Sequence, residues 1–205
     1  TDESVIRAEL ILDEGDPCTN LGLDKSIAKL KSRRIFKEVS SAVTPGSESN
    51  LKVIDINVVE MPTGEISAGA GIGTNGGSFE ARVSENNWLG EGKKLDFVIA
   101  TDSESLSGRI NYTDPNYNFM GNSINYFVSN SSNDKPDQGY KNTLYSSGIN
   151  TSFEQYRNIF TNLGLSASYD DLKTVSSASE SLKKQSGEFS ELSGHYGFRY
   201  DNRNR

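Results

Sequence analysis

Three glycines in the stretch GAGIGTNGG, residues 69–77, have the G-x-G-x-x-G spacing of a dinucleotide-binding loop. In such a loop the glycines let the backbone approach a pyrophosphate, which binds at the N-terminus of the helix that follows. The glycines here are Gly71, Gly73 and Gly76, and a strand pattern precedes them. The next segment, SFEARVSEN, alternates apolar and polar residues at period 2, which predicts a second strand. We therefore expect a β-hairpin turn at TNGG and no phosphate site.

The other residues that could do chemistry lack the partners that such chemistry needs. His195 is the single histidine and Cys18 the single cysteine, so neither can complete a metal site or a catalytic triad with a second His or Cys. A single cysteine also excludes a disulfide within the chain. Asp170 and Asp171 are adjacent in a polar stretch, where we expect both carboxylates to be solvated. The sequence predicts no enzyme, no cofactor and no metal site.

The charge of the chain argues against nucleic acid as a partner. The chain carries 28 acidic and 21 basic residues, a formal net charge of −7, whereas a surface that binds nucleic acid is basic. Hydrophobic residues make up 34% of the chain, and no apolar run is long enough for a transmembrane helix. The abundance of Tyr, Phe, Gly, Ser, Thr and Asn favours strands and turns.

Residues 1–61 predict a small α+β domain, in which two apolar stripes at helical spacing are followed by two strands. The more apolar face of the second strand carries Ile54, Ile56 and Val58, and we expect it to pack against the helices. The composition changes at Met61, which places a domain boundary there. The stripes consist of Val5, Ile6, Leu10 and Leu12, then Leu23, Ile27, Leu30 and Ile35, and the strands are 37–43 and 51–60.

Residues 62–205 repeat a segment of about ten residues with period-2 alternation, followed each time by a turn. This length matches a tilted membrane-spanning strand, and about eight such strands can be counted. In one of them Leu163, Leu165, Ala167 and Tyr169 share an apolar face. The predicted strands are near 65–74, 78–86, 93–102, 105–114, 121–130, 142–152, 160–170 and 189–200.

The connections between these strands alternate in length and composition. One set is polar and includes the long segments 130–141 and 170–188, which we expect on the cell surface. The other set is compact and aromatic, and we expect its members 86–92 and 114–121 on the periplasmic side. This asymmetry is typical of an outer-membrane β-barrel, with aromatic residues at the lipid–water interface; the alternative is a soluble β-sandwich with ordinary turns. The aromatic residues are Trp88, Tyr117, Phe119, Phe153 and Tyr156.

Gly69, Gly71 and Gly73 lie on one face of the first of these strands, at every second residue. Glycine in a strand weakens packing and allows close approach of other backbone. Two interpretations follow from this spacing. Either this strand forms the weakest seam of a closed barrel, or the lumen beside it is too crowded for side chains.

Several motifs, in order and with the right spacing, resemble those of the BamA-type outer-membrane protein assembly factors. VIRAELILDEGD, LDKSIAKLKSRRIFKEV and LKVIDINVVE resemble the last POTRA domain of that family, and PTGEISAGAGIG, SENNWLGEG and TDPNYNF resemble the start of its barrel. The resemblance spans essentially the whole chain. It implies a β-α-α-β-β POTRA domain in the periplasm over residues 1–61, here without its first strand. Residues 62–205 would then be the N-terminal half of an antiparallel transmembrane β-barrel, with about eight of roughly sixteen strands.

The resemblance also implies a function. The family folds and inserts β-barrel proteins into the bacterial outer membrane, catalyses no covalent chemistry, and opens a lateral gate at its first barrel strand. The implied partners are accessory assembly lipoproteins, periplasmic chaperones, unfolded outer-membrane proteins and outer-membrane lipid. An acidic residue of the last POTRA domain contacts a lipoprotein, and Glu9 is the matching position, although Ala8 replaces a basic residue there. The implied client-strand residues are Glu65, Ile66, Ser67, Ala68, Gly69, Ala70, Gly71, Ile72 and Gly73.

Two other functions fit the same residues. A two-partner-secretion-type transporter would export a polypeptide through a related barrel, and several further POTRA domains upstream would favour assembly over secretion. A soluble β-sandwich binding module would not partition into a membrane. The second half of the barrel, with its closing strand, is expected to lie outside this sequence.

Overall fold

The computed structural model describes residues 1–73 and 76–202, which form two compact units. The units are Thr1–Gly64 with Glu85–Lys93, called the helical unit, and Glu65–Ser84 with the chain from Lys94 onward, called the sheet unit. Within the described ranges, no helix is both long enough and apolar enough to cross a membrane.

The helical unit contains two helices and an antiparallel pair of strands, as the sequence predicts. Helix α2 begins after Thr19, whose hydroxyl accepts a hydrogen bond from the backbone N–H of Gly22 at 3.2 Å. A side-chain oxygen at this position satisfies one of the N–H groups that a helix start leaves unpaired. The elements are α1 (Glu3–Arg7), α2 (Asn20–Ser32), β1 (Phe36–Pro45) and β2 (Lys52–Glu60).

Helix α1 is shorter than its apolar stripe suggests, because it ends at Arg7 while the stripe continues to Leu12. After Arg7 the chain forms a tighter turn, in which the N–H of Glu9 donates to the carbonyl of Ile6, three residues back, at 3.1 Å. The N–H of Ile11 then donates to the Ser26 hydroxyl on α2 at 2.9 Å. This tertiary bond replaces the helical one, so the apolar residues beyond Arg7 reach the core from an irregular segment.

The core of the helical unit lies between α2 and the strand pair. Leu30 on α2 is 0% exposed and Ile35 is 1% exposed. Ile56 and Val58 pack against this core from β2, which confirms the predicted face of that strand. The buried core residues are Val5, Leu30, Ile35, Phe36 and Val39.

The described residues of the sheet unit form an eight-stranded sheet in which each strand is hydrogen-bonded to the next along the chain. All eight predicted strands are present near their expected positions, which confirms the strand pattern. The strand pairs from β5–β6 through β9–β10 are antiparallel. The strands are β3 (Gly64–Gly73), β4 (Gly76–Trp88), β5 (Lys93–Asp102), β6 (Ser105–Asp114), β7 (Ser123–Lys135), β8 (Tyr140–Tyr156), β9 (Ile159–Thr174) and β10 (Gly187–Tyr200).

The prediction of long polar loops at 130–141 and 170–188 is wrong for most of the first segment and part of the second. Strands β7 and β8 stay paired up to Lys135 and Tyr140, and β9 continues to Thr174. Main-chain ladder bonds do not require apolar side chains, so pairing continues after the apolar alternation has ended. What remains is a short 3₁₀ helix, Pro136–Gln138, and a connection from 175 to 186 that contains α3 (Glu180–Lys183).

The two faces of the sheet differ in chemistry. Directly opposed residues of neighbouring strands share a face, and the register pairs Tyr196 with Leu163 and Leu192 with Ala167. The apolar face is therefore continuous from strand to strand. Its side chains are well exposed, with Ile66 at 81% and Leu192 at 79%. An exposed apolar surface of this extent is typical of a face that contacts lipid or protein.

The polar face carries charged groups that pair across strands. The Arg82 guanidinium on β4 donates to the Asp96 carboxylate on β5 at 2.7 Å. On β6, Arg109 lies over the ring of Phe127 with 4.4 Å between its Cζ and the ring centroid, close enough for a cation–π attraction. These contacts confirm that alternate residues of the strands point to one polar side.

Candidate functional site

The glycine-rich segment forms a strand at the end of the sheet. Among the described residues, β3 is hydrogen-bonded to β4 alone, and β10 lies at the opposite end of the sheet. All ten residues of β3 are exposed. Thr74 and Asn75 of the predicted TNGG hairpin lie outside the described residues, while the flanking strands β3 and β4 are neighbours. A strand follows the glycines where a phosphate site would need a helix.

The glycines of β3 differ in how much space surrounds them. A Cβ added at Gly69 or Gly73 would have no described atom within 4 Å, and one at Gly71 would meet only the Ser78 hydroxyl at 3.1 Å. The described residues therefore leave space beside Gly69 and Gly73 and approach Gly71 through one hydroxyl. Both interpretations of the sequence, a weak seam and a crowded lumen, stay open.

The glycine face of β3 borders an open depression of 530 Å³ on the polar side of β3–β5. Small side chains create this space, since a strand of larger residues would fill it. The lining of the depression includes Ser67, Gly69, Gly71, Ser78, Glu80 and Asp102.

Glu9, the residue predicted to bind a partner, lies near the end of α1 and has an intramolecular partner. Its Oε1 is 3.6 Å from Nε of Arg33, and both side chains are 13% exposed. The other lone pairs of the Glu9 carboxylate oxygens can accept further hydrogen bonds. The contact with another protein stays a prediction, but the sequence pattern gives no indication of the pair with Arg33.

A second feature that the sequence does not reveal is the construction of segment 85–92, which comprises the end of β4 and the turn after it and belongs to the helical unit. The N–H of Asp2 donates to the carbonyl of Gly90 at 2.8 Å. The Asn87 side chain donates to the Thr1 hydroxyl at 2.8 Å and accepts from the N–H of Gly92 at 2.7 Å. Only the asparagine and glycines of NNWLGEG, which are typical of tight turns, point to this arrangement.

Four of the five aromatic residues of the compact turns are exposed, and Phe153 is half-buried. Trp88, Tyr117, Phe119 and Tyr156 have between 39% and 68% of their surface accessible. Exposed aromatic side chains at the ends of strands are typical of a membrane–water interface. The side of the membrane on which these turns lie stays a prediction.

The expected membrane topology can be tested with single cysteines in the full-length protein after replacement of Cys18 by serine. Leu89→Cys lies in a turn predicted to be periplasmic, and Ser177→Cys in a connection predicted to be on the cell surface. Both residues are exposed, whereas the adjacent Ala178 is buried. A membrane-impermeant maleimide should label residue 177 in intact cells and residue 89 only after permeabilisation. Labelling of residue 89 but not 177 in intact cells would contradict this topology.

Comparisons with known proteins agree with this fold. The Omp85 superfamily domain matches residues 87–205. The outer membrane protein assembly factor BamA of Neisseria meningitidis is 26% identical over 185 residues, which cover 87% of this chain and 23% of that protein. The structure of BamA from Haemophilus ducreyi lacking POTRA domains 1–3 is 22% identical, with a TM-score of 0.80. That alignment covers all of this chain and 42% of the BamA chain. The structure of CdiB from Acinetobacter baumannii is 14% identical, with a TM-score of 0.54, and the alignment covers 99% of this chain and 41% of the CdiB chain.

The apolar outer face and the eight consecutive strands define this chain as part of an outer-membrane β-barrel protein. The family match covers more than half of the chain, and the chain belongs to the Omp85 superfamily, as a member of BamA type. It spans about a quarter of the length of its neisserial relative.

Proposed function

We propose that the protein folds and inserts β-barrel proteins into the bacterial outer membrane by pairing a client strand with β3. The observation that carries this proposal is the composition of β3, the first strand of the sheet, which has glycine at every second residue of one face. The similarity to the assembly factor of Neisseria meningitidis supports the function class. No covalent chemistry is proposed.

The proposed mechanism is β-augmentation at the edge of β3. Main-chain hydrogen bonds would supply the attraction, so clients of varied sequence could bind, and side chains at alternate positions would adjust the fit. In lipid each unpaired backbone group costs several kcal/mol, so an opened edge favours the recruitment of a strand. The glycines keep the pairing of β3 weak enough for a client to exchange with it.

The helical unit has a separate place in the proposal. We propose that residues 1–61 form the last POTRA domain and lie in the periplasm, where periplasmic chaperones deliver unfolded outer-membrane proteins. The carboxylate of Glu9 would support accessory assembly lipoproteins by charge. The presence of two helices against an antiparallel strand pair supports this assignment.

A crosslinking experiment in the full-length protein tests the client-binding strand. Single cysteines at residues 66–72 should capture a client that is stalled during insertion. Matched cysteines at Leu106 and Ile110 on β6, which is paired on both sides, should not capture it. Crosslinks that form only from the connections 136–139 and 175–186 would contradict the assignment to β3.

The second candidate function is a two-partner-secretion-type polypeptide transporter, which the fold shared with CdiB supports. Reconstitution of the full-length protein in liposomes separates the two candidates. An assembly factor should leave the client folded in the bilayer and protected from external protease only in its membrane strands. A transporter should deliver an unfolded polypeptide to the other side of the membrane.

A further inference from the structure

Within the helical unit, the turn in segment 85–92 packs against Val5 of α1 and Arg33 at the end of α2. The carbonyl of Gly92 accepts a hydrogen bond from Nη2 of Arg33 at 2.6 Å. A Cβ added at Gly92 would lie 2.6 Å from the same Nη2 and 2.7 Å from Cγ1 of Val5, a residue of the core. Gly92 also has a φ of +66°, which favours glycine. The turn is therefore in close contact with Arg33 and Val5 at this residue.

The guanidinium of Arg33 makes two contacts of different kinds. Its Nη2 donates to the Gly92 carbonyl, and its Nε is 3.6 Å from the Glu9 carboxylate. A guanidinium presents its N–H donors in a rigid planar fork, so a partner at one edge fixes the direction in which the donors at the other edge point. Since only 13% of each side chain is exposed, solvent screens the pair less than it screens a surface pair.

We infer that Arg33 is the positioning residue of this turn, and that Glu9 orients Arg33 for that role. The bond to Gly92 is charge-assisted and therefore stronger than the neutral bonds from Asp2 to Gly90 and from Asn87 to Thr1. Glu9 thus has a role within the chain that is independent of any lipoprotein. The inference does not depend on which client the protein assembles.

Hydrogen exchange of the full-length protein in detergent, followed by mass spectrometry, tests the inference. Arg33→Leu should raise the exchange rate of peptides over 85–93 by about tenfold or more, because a hydrogen bond to a charged group is lost. Peptides over 114–122, another short turn, should keep their exchange rate. The matched control is Arg34→Leu, which removes the same charge from an exposed side chain.

A conservative variant separates positioning from general loss of packing. Arg33→Lys keeps a cation that can pair with Glu9 and a donor that can reach Gly92, so it should restore most of the protection at 85–93. Glu9→Gln should raise the exchange rate less than Arg33→Leu, since the bond from Arg33 to Gly92 remains. The inference is overturned if Arg33→Leu leaves 85–93 unchanged, if Arg34→Leu raises it equally, or if the increase spreads to 114–122.

Discussion

Replacement of both Gly71 and Gly73 by valine should leave a folded barrel that inserts client proteins more slowly. The structure has open space beside Gly73 and only the Ser78 hydroxyl near Gly71, so the larger side chains can be accommodated. Valine favours strand structure, and the scale of β-propensity spans about 1 kcal/mol for each substitution. Two substitutions could therefore stabilise the pairing of β3 enough to slow its exchange by about tenfold. The measurement is the rate of client insertion into liposomes by the reconstituted full-length protein.

The matched control for this experiment is Gly108→Val on β6. An added Cβ at Gly108 also has no described atom within 4 Å, but β6 is paired with a strand on each side. This variant should insert clients at the normal rate, because no exchange occurs at a strand inside the sheet. If the double valine variant inserts clients as fast as the parent protein, the glycines are only a packing feature and β3 is not the exchanging strand.

The strand pattern could be predicted from the sequence because one rule fixes most of it. Alternation at period 2 sorts residues such as Leu163 and Leu165 onto one face without knowledge of their neighbours. The ends of the strands could be predicted less well, because backbone pairing continues through the polar residues near Lys135 after the alternation has stopped. Position in the sheet also followed from chain order, because each strand pairs with the next one along the chain.

The contacts of Glu9 could not be predicted in this way. Its partner Arg33 is far away in sequence and lies just after a helix, where a charged side chain is usually solvated. The same holds for the bond from Arg33 to Gly92, which joins residues 59 positions apart. Periodicity describes one element at a time, whereas this arrangement depends on how α1, α2 and a turn come together. A resemblance to a family points to a residue such as Glu9 without showing what it contacts.

The glycines of the sheet unit also show what the sequence conceals, because identical residues have opposite surroundings. An added Cβ at Gly148 would lie 2.6 Å from the backbone oxygen of Leu165 and 2.6 Å from Cε1 of Phe127. The ring of Phe127 lies over the position directly opposite it in the register, Gly148, an arrangement that covers the glycine with an aromatic side chain. At Gly164 the nearest group is the Asn150 amide, which can rotate away.

Gly148→Ala should therefore lower the fraction of the full-length protein that forms a folded barrel. Overpacking usually costs about 1–3 kcal/mol, and here one of the two contacts is with main chain, which moves only if the ladder between β8 and β9 moves with it. The measurement is the fraction of protein that keeps the compact, heat-modifiable mobility of a folded barrel on a gel without boiling. Gly108→Ala is the matched control and should fold like the parent protein, since its surroundings are open.

A double variant separates the two contacts at Gly148. Phe127→Leu removes the ring but leaves the Leu165 oxygen in place, so Phe127→Leu with Gly148→Ala should recover only part of the folded fraction. Full recovery would show that the ring alone requires glycine at this position. Equal folded fractions for Gly148→Ala and Gly108→Ala would contradict the close approach of β8 and β9 at this point. Gly148 needs to be glycine for space, and we propose that Gly73 is glycine for weak pairing. The two positions should therefore respond to a larger residue in different assays, the first in barrel folding and the second in client insertion.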